Sequence, residues 1–263
     1  MKHKTPKTSS IEKALEILMA FNPHNYEMGT MELSQKLNYH PATVNRILRI
    51  LNQKEFLQQN DRTRKFKLGP EAFHMGRTIF QSISGNILNI ALPYLGDLCE
   101  KVGETVVLEA VSGRHMIVAY IVQGTHALSI GPRIGDRLPA HAAAGAKAII
   151  AFSDQKMIDR FLDNKLQHIT SGTITDPEDL RSELKKIRQQ GVGFCQEEMA
   201  DSINAVGAPI FNHENKPIAA VVVVGLAHRV RCDIKSPIVA EVKYTASKIA
   251  AQLFHPESIA KKS

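Results

Sequence analysis

The run from His40 to Gln53 constrains the fold more than any other part of the chain. Pro41 predicts a helix start, because proline has no N–H to lose at the first helical position. Apolar residues then recur at positions i, i+3, i+4 and i+7, on one face of that helix, and they are Val44, Ile47, Leu48 and Leu51. The opposite face has short or polar side chains and two arginines, and it comprises Ala42, Thr43, Asn45, Arg46, Arg49 and Gln53. Such a face suits the major groove of DNA.

The residues before this helix predict two further helices. Ser9 to Glu12 matches a capping box and opens a helix whose predicted inner positions are Ile11, Ala14, Leu15 and Leu18. Thr30 is expected to cap a short helix from Met31 to Leu37. Asn38-Tyr39-His40 then forms the turn into the third helix, which gives a helix-turn-helix order.

The residues after the third helix predict a basic hairpin, or wing. Two short extended runs flank the turn residues Asn60 to Thr63. The hairpin carries four basic residues suited to phosphate contacts, namely Arg62, Arg64, Lys65 and Lys67. Residues 1–68 contain 12 Lys and Arg against 6 Asp and Glu, which leaves them with +6 of the net charge of +7. A basic tail ahead of a solvated helix pair is the alternative, but order, turn chemistry and charge all favour double-stranded DNA as the partner.

Composition limits the remaining possibilities. A chain of 263 residues with 43% hydrophobic content can bury the cores of about two domains. No apolar run approaches the roughly 20 residues needed to cross a bilayer, and the basic start lacks the apolar stretch of a signal peptide. The three cysteines have neither a disulfide framework nor metal-ligand spacing. We therefore expect a soluble cytoplasmic protein with no membrane partner, metal or cofactor.

Three regions follow from the pattern along the chain: a DNA-binding domain over residues 1–69, a linker helix over 70–84 and a larger domain over 85–263. The apolar positions of the linker helix can form a dimer seam or pack on their own domain. A break at Gly85-Asn86 precedes an amphipathic helix, and two strands follow around Gly113-Arg114. Helices starting near Ala142, Asp176 and Pro237, with strands between them, predict an α+β domain with a mostly antiparallel sheet.

Several short motifs, in this order, resemble the IclR-type family of transcriptional regulators over nearly the full length. They are Ser10–Leu18, Thr43–Leu48, Gly135–His141, Lys147–Phe152, Ile187–Gly191, Glu198 and Ala208–Ile210. The resemblance implies a winged helix-turn-helix, a linker helix and a GAF-like domain that binds a small-molecule effector. It also implies a homodimer or homotetramer that binds a palindromic operator.

The resemblance further implies positions for the effector pocket. They are Leu138, Ala144, Gly145, Cys195, Ala205, Val222 and Val224. Relatives that bind small keto acids often have Cys at the position of Ala205 and Ser at those of Val222 and Val224. Valines remove hydrogen-bond partners that a small polar acid needs, so we expect a larger apolar or aromatic carboxylate. Backbone N–H groups at the start of the alanine-rich helix, with Arg133 or Arg137, are the predicted anchors for its carboxylate. The alternative for these valines is an ordinary buried strand.

We expect no enzyme, because the sequence contains no recognisable set of catalytic residues. It has no Walker loop, no Gly-x-Ser-x-Gly elbow and no His-Glu-x-x-His motif. Glu197 and Glu198 form a general-acid pair only if they share a face, which adjacent strand residues do not. A metal- or redox-sensing regulator of the same architecture is the alternative function. It would use His141 and Cys195, which are otherwise a packed histidine and a passive wall residue.

Overall fold

The computed structural model describes residues 9–22, 25–84, 87–112, 115–162 and 166–254. The chain divides into two compact units, residues 1–82 and residues 83–263. The predicted break at Gly85-Asn86 and the turn at Gly113-Arg114 lie outside the described residues.

The described part of the first unit is a helical core with a short hairpin. Its elements are α1 (Ser10–Met19), α2 (Thr30–Leu37), α3 (Pro41–Gln53), β1 (Leu57–Gln59) and β2 (Phe66–Leu68). The two strands are antiparallel, with Leu57 opposite Leu68, so the predicted wing is confirmed. Phe66 also exchanges two backbone hydrogen bonds of 2.9 Å with Met28, which adds an isolated β-bridge to the wing. Helix α4 (Pro70–Ser84) follows the wing.

Two details of the first helices differ from the sequence expectation. The capping box of α1 is confirmed, since Ser9 and Glu12 each accept a hydrogen bond from the other's backbone N–H. The predicted apolar face of α1 was only partly right: Ala14 and Leu18 pack against the core, but Ile11 and Leu15 are 75% and 53% exposed while Ile17 is fully buried. The core contacts the helix along the neighbouring stripe, a rotation that apolar periodicity alone does not specify. Helix α2 starts at Thr30 rather than after it, with Gly29 at the N-cap.

The second unit is an α+β domain, as predicted. Its helices are α5 (Ile87–Val102), α6 (Ala144–Phe152), α7 (Gln155–Leu162), α8 (Pro177–Gln190) and α9 (Pro237–Phe254). Its strands are β3 (Thr105–Ser112), β4 (His115–Val122), β5 (Arg137–Leu138), β6 (Gly193–Gln196), β7 (Ile203–Phe211) and β8 (Pro217–Leu226). The short elements α7, β5 and β6 were not predicted, because so few residues give weak periodicity.

The six strands form one antiparallel sheet in the order β5-β4-β3-β8-β7-β6. Alternate residues of each strand face opposite sides, and each side has its own apolar core. Helices α5 and α9 cover one side, where the core includes Leu95 of α5, Leu108 of β3 and Val223 of β8. Helix α6 covers the other side, where Ile149 of α6 and Val222 of β8 belong to the core, and α8 packs on α6. The sheet therefore supplies a rigid floor beneath α6.

Among the described residues, no helix combines the length and apolar character required to span a membrane.

Candidate nucleic-acid interface and ligand cavity

Helix α3 holds its two predicted faces as expected. The four apolar residues of its inner stripe are all buried in the core of the first unit. On the other side, Ala42, Asn45, Arg46, Arg49 and Gln53 are exposed and Thr43 is half-buried. The helix start is fixed by Pro41 at the first position and by the ring of His40, whose Nδ1 accepts a hydrogen bond from Ala42 N–H at 3.2 Å.

One exposed residue of this helix was not singled out from the sequence. Ile50 follows Arg49, lies outside the apolar stripe and is 48% exposed. A branched apolar side chain on a groove-facing helix is suited to contact with thymine methyl groups. Helix α3 therefore offers two guanidinium groups and an apolar contact on its exposed surface.

The wing is held in shape by a polar turn. The side-chain Oδ1 of Asn60 accepts hydrogen bonds from the N–H groups of Arg62 and Thr63, at 2.9 and 3.2 Å. Arg64 takes the left-handed conformation, with φ of 59°, and closes the turn through a hydrogen bond to Asn60 O. The side chains of Arg62, Arg64 and Lys67 are exposed and available to phosphate.

The fourth basic residue of the wing is already paired. Lys65 Nζ lies 2.7 Å from Oε1 of Glu32 in α2, and this hydrogen bond raises the pKa of Lys65. Both side chains are about half exposed, so the pair is accessible to solvent and salt. Lys65 is thus the weakest of the predicted phosphate contacts, because its charge is partly compensated within the unit.

The second unit contains a cavity of about 400 Å³ between the sheet, the start of α6 and the loop before β5. That volume is within the range of sites for small molecules. The loop that covers it is fixed to β4 by two backbone hydrogen bonds, Val118 N–H to Asp136 O and Gly135 N–H to Val118 O. The lining comprises Val107, Glu109, Ile130, Gly131, Pro132, Asp136, Arg137, Leu138, Ala143, Ala144, Cys195, Met199, Ala200, Ile203, Ala205, Val222 and Val224.

Six of the seven residues predicted for the pocket line this cavity. They are Leu138, Ala144, Cys195, Ala205, Val222 and Val224. Val222 and Val224 share one side of β8, and Ala205 of the neighbouring strand β7 lies directly opposite Val224. Gly145 is not among the lining residues; it packs behind the wall, where a Cβ would lie 2.6 Å from Val222 Cγ2. Its lack of a side chain lets α6 approach the sheet.

The buried acid of the cavity lining, Glu109, was not predicted from the sequence. This residue of β3 is 3% exposed and faces the same side of the sheet as Val107. Burial raises the pKa of its carboxyl to about 8, and a hydrogen bond from the N–H of Ala146 acts in the opposite direction. Its Oε2 atom has no hydrogen-bond partner. A glutamate inside an apolar strand was the available signal in the sequence.

The predicted carboxylate anchors are only partly in place. Arg137 borders the cavity but is exposed, whereas Arg133 is not among the lining residues. Helix α6 does point its first turn at the cavity, since Ala143 and Ala144 line it. The N–H of Ala146 in that turn acts on the carboxyl of Glu109 and lowers its pKa.

The residues considered for metal or redox chemistry have ordinary structural environments. His141 is buried, with Nε2 2.9 Å from Gln167 O, as expected of a packed histidine. Burial raises the pKa of Cys195 to about 11 and that of Cys232 to about 12, so neither thiol is a reactive thiolate at neutral pH. Within the described ranges, no three His, Cys, Asp or Glu side chains are grouped to hold a metal ion.

Glu197 and Glu198 do not act as a pair. Strand β6 ends at Gln196, and Glu197 accepts a hydrogen bond from Ser202 N–H at 2.6 Å. Glu198 forms a buried ion pair with Lys147 of α6, with Nζ 2.5 Å from Oε1. The burial of Lys147 was not predicted from the sequence. Lysine is rarely buried without a partner, and the sequence did not reveal that partner. This ion pair links α6 to the turn after β6.

A winged helix-turn-helix joined to an α+β unit with an apolar cavity defines a two-domain class of DNA-binding transcription regulator. Family models agree: residues 10–61 match the IclR helix-turn-helix domain, and residues 81–251 match the C-terminal domain of bacterial IclR transcriptional regulators. The chain belongs to the IclR family. The family expected from the sequence motifs is thus confirmed, and so is the α+β fold.

Curated relatives include two regulators from Escherichia coli K12. The chain is 30% identical to the HTH-type transcriptional regulator XynR over 226 residues, 86% of this chain and 89% of XynR. It is 30% identical to the transcriptional repressor IclR over 232 residues, 87% of this chain and 84% of that protein. Both relatives are transcriptional regulators.

Solved structures share the fold. The IclR protein of Thermotoga maritima matches with a TM-score of 0.75 and 27% identity, over 93% of this chain and 98% of that one. An IclR homologue of Microbacterium hydrocarbonoxydans, complexed with 4-hydroxybenzoate, matches with a TM-score of 0.79 and 20% identity, over 94% and 99%.

Proposed function

We propose that this IclR-family regulator binds a palindromic operator as a homodimer or homotetramer, and that a small metabolite in the cavity changes its affinity for that DNA. One observation carries the proposal: the same chain presents an exposed arginine-bearing face on α3 and contains an apolar cavity of about 400 Å³. We further propose that it acts in the cytoplasm and has no catalytic activity.

The proposed effector has an apolar, preferably aromatic, body and a carboxylate. Leu138, Ala205, Val222 and Val224 supply an apolar wall, against which each buried CH₂ is worth about 0.8 kcal/mol. Glyoxylate and pyruvate lack a body that could use this wall. The complex of the Microbacterium homologue with 4-hydroxybenzoate supports aromatic acids as the first probes.

Self-association is proposed because one winged helix reads too few base pairs for useful specificity. Exposed apolar side chains on the first unit support it. Phe73 and Met75 of α4 are 68% and 54% exposed, and Ile11 and Met19 of α1 are 75% and 69% exposed. Several large exposed apolar residues on one unit are typical of surfaces that bind another protein copy.

The test selects duplexes from a random DNA library with the purified full chain and sequences those that bind. We expect two similar half-sites related by two-fold symmetry, about one helical turn or a multiple apart. Binding that does not distinguish the selected duplex from a scrambled one would contradict the proposal.

The effector class is tested separately by calorimetry with 4-hydroxybenzoate, benzoate, glyoxylate and pyruvate. We expect an aromatic acid to bind and both keto acids to fail. Micromolar binding of a keto acid without any aromatic binder would mean that the apolar wall does not select the ligand.

A further inference from the structure

His40 lies at the junction between the turn and the third helix of the helix-turn-helix. It is the N-cap residue of α3, with extended backbone (φ −63°, ψ 133°), and Pro41 follows it at the first helical position. In helix-turn-helix proteins, the N-terminal residues of the recognition helix are the ones that contact the bases in the major groove. The side chain of His40 is therefore at the end of α3 that comes closest to DNA in the proposed complex.

The capping hydrogen bond fixes the orientation and the tautomer of the His40 ring. Its Nδ1 accepts the N–H of Ala42 at 3.2 Å, and Ala42 belongs to the exposed face of α3, so the ring lies on the side of that face. A ring nitrogen that accepts a hydrogen bond carries no proton, so this arrangement assigns the proton of a neutral imidazole to Nε2. The capped ring thus presents an N–H donor at its outer end, and the side chain is exposed.

Other histidines of the chain use Nε2 within the protein. The Nε2 atoms of His126 and His213 lie 3.3 and 3.9 Å from a glutamate oxygen, and that of His141 lies 2.9 Å from a backbone oxygen. In the part of the chain that the structure describes, the one hydrogen bond of His40 is the capping bond through Nδ1. Its Nε2–H group is therefore available to an acceptor from outside the chain.

Capping alone does not account for a histidine at this position. Ser, Thr, Asp and Asn are the preferred N-cap residues, and the chain uses Ser9 at α1 and Asp176 at α8. These shorter side chains satisfy the first turn close to the backbone. An imidazole accepts the same kind of bond and also extends a second nitrogen beyond the end of the helix.

We propose that Nε2–H of His40 donates a hydrogen bond to a phosphate oxygen of the DNA backbone and so holds the first turn of α3 in the groove. This inference rests on the proposed function and deepens it. Phosphate is the acceptor because about half or more of protein–DNA hydrogen bonds go to the backbone, and because a helix N-terminus favours an anion. A neutral imidazole releases no counterion, so the contact adds affinity without adding to the salt dependence.

The experiment separates the contact from the cap with two substitutions in the full chain. His40→Ser keeps a preferred N-cap, but its hydroxyl is too close to the backbone to replace Nε2. His40→Ala removes both the cap and the donor. Gel shifts at pH 8 and low salt, on the selected and the scrambled duplex, should show about tenfold weaker binding of both variants to both duplexes, as expected for about one lost hydrogen bond to a charged group.

Thermal unfolding followed by circular dichroism checks the cap. His40→Ser should unfold at or above the temperature of the unmodified chain, whereas His40→Ala should unfold at a lower temperature. His228→Ser is the control, because His228 is an exposed histidine of the second unit, and it should leave DNA binding unchanged.

The salt dependence gives a further distinction. The slope of log K against log salt should stay the same in His40→Ser, whereas Lys67→Ala in the wing should lower it by about 1. A purely structural role for His40 predicts instead that His40→Ser binds DNA as well as the unmodified chain.

Three results would overturn the inference. They are unchanged DNA binding by His40→Ser, a loss confined to the selected duplex, which would indicate a base contact, and a salt slope that falls as it does in Lys67→Ala, which would indicate a charged ring. Failure of the proposed function has a separate readout, because the unmodified chain would then not distinguish the selected duplex from the scrambled one.

Discussion

Gly145 of α6 packs against Glu109 of β3 so closely that a Cβ at Gly145 would lie 2.5 Å from Oε2 of Glu109. Real Cβ atoms do not approach other atoms so closely, so helix, strand and carboxyl cannot keep their positions if residue 145 has a side chain. The absence of a side chain at Gly145 therefore allows the carboxyl to lie against α6. It was predicted as a wall residue, and its structural contribution is this close approach.

Gly145→Ala should destabilise the second unit by about 1–3 kcal/mol, because an added methyl overpacks a well-filled core. Gly96→Ala is the matched control: Gly96 lies within α5 and a Cβ there meets nothing within 4 Å. That change should stabilise the chain by about 0.5–1 kcal/mol, as expected for removal of a glycine from a helix interior. Urea unfolding followed by circular dichroism measures both. Equal effects of the two changes would contradict the close approach.

The pH dependence of stability reports on Glu109. Its pKa is raised to about 8 in the folded chain, from about 4.5 when exposed. Between those values the folded state holds a proton that the unfolded state has lost, so stability falls as the pH rises from 5 to 8 and then levels off. Glu109→Gln should flatten this decline, with a difference on the order of a few kcal/mol between pH 5 and 8.5. Unfolding curves that decline equally in both proteins would show that Glu109 is ionised at low pH.

DNA contacts should divide into two kinds. Arg46→Ala or Arg49→Ala should cost about 1–3 kcal/mol at the operator and reduce discrimination between sequences. Arg62→Ala or Lys67→Ala should weaken binding to all DNA and lower the salt slope by about 1. Lys65→Ala should cost less than Lys67→Ala, because Lys65 is paired with Glu32.

Gel shifts on selected and scrambled duplexes, at two or more salt concentrations, measure these effects. Arg188→Ala removes one exposed positive charge from α8 and serves as the control for net charge. Unchanged operator binding by Arg46→Ala would contradict the assignment of α3 as the reading helix.

Phe73→Glu tests the proposed self-association. Phe73 is 68% exposed, so the change should not disturb the fold of a single chain, but it would bury an unpaired charge in an interface. We expect weaker association by sedimentation together with weaker operator binding. The side chain of Phe80, on the same predicted seam, lies outside the described residues. An intact dimer with Phe73→Glu would place the interface elsewhere.

Local signals predicted much of this fold. Helix α3 begins at Pro41 and α8 ends before Gly191, because a proline at the first position and a glycine after the last one are strong local markers. Strand β4, one of the two strands expected around Gly113-Arg114, spans His115 to Val122, and its run of apolar residues is long enough to recognise.

Tertiary packing decided what the sequence did not predict. The inner face of α1 depends on how the core meets the helix, so Ile11 was assigned to the wrong side. Lys147 and Glu198 lie 51 residues apart, and nothing local indicates that they pair. Glu109 is an acid in an apolar strand, but the sequence does not show which face of the sheet borders a cavity. That face is defined only when the sheet and α6 pack together.

If a ligand in the cavity controls how tightly this chain binds its operator, fluorescence anisotropy of the selected duplex will show it, titrated with protein alone and with a saturating ligand found by calorimetry. We expect the ligand to change the Kd for the operator at least tenfold, a coupling of about 1.4 kcal/mol, and to leave binding to scrambled DNA nearly unchanged. An operator Kd that is the same with and without a bound cavity ligand would contradict it.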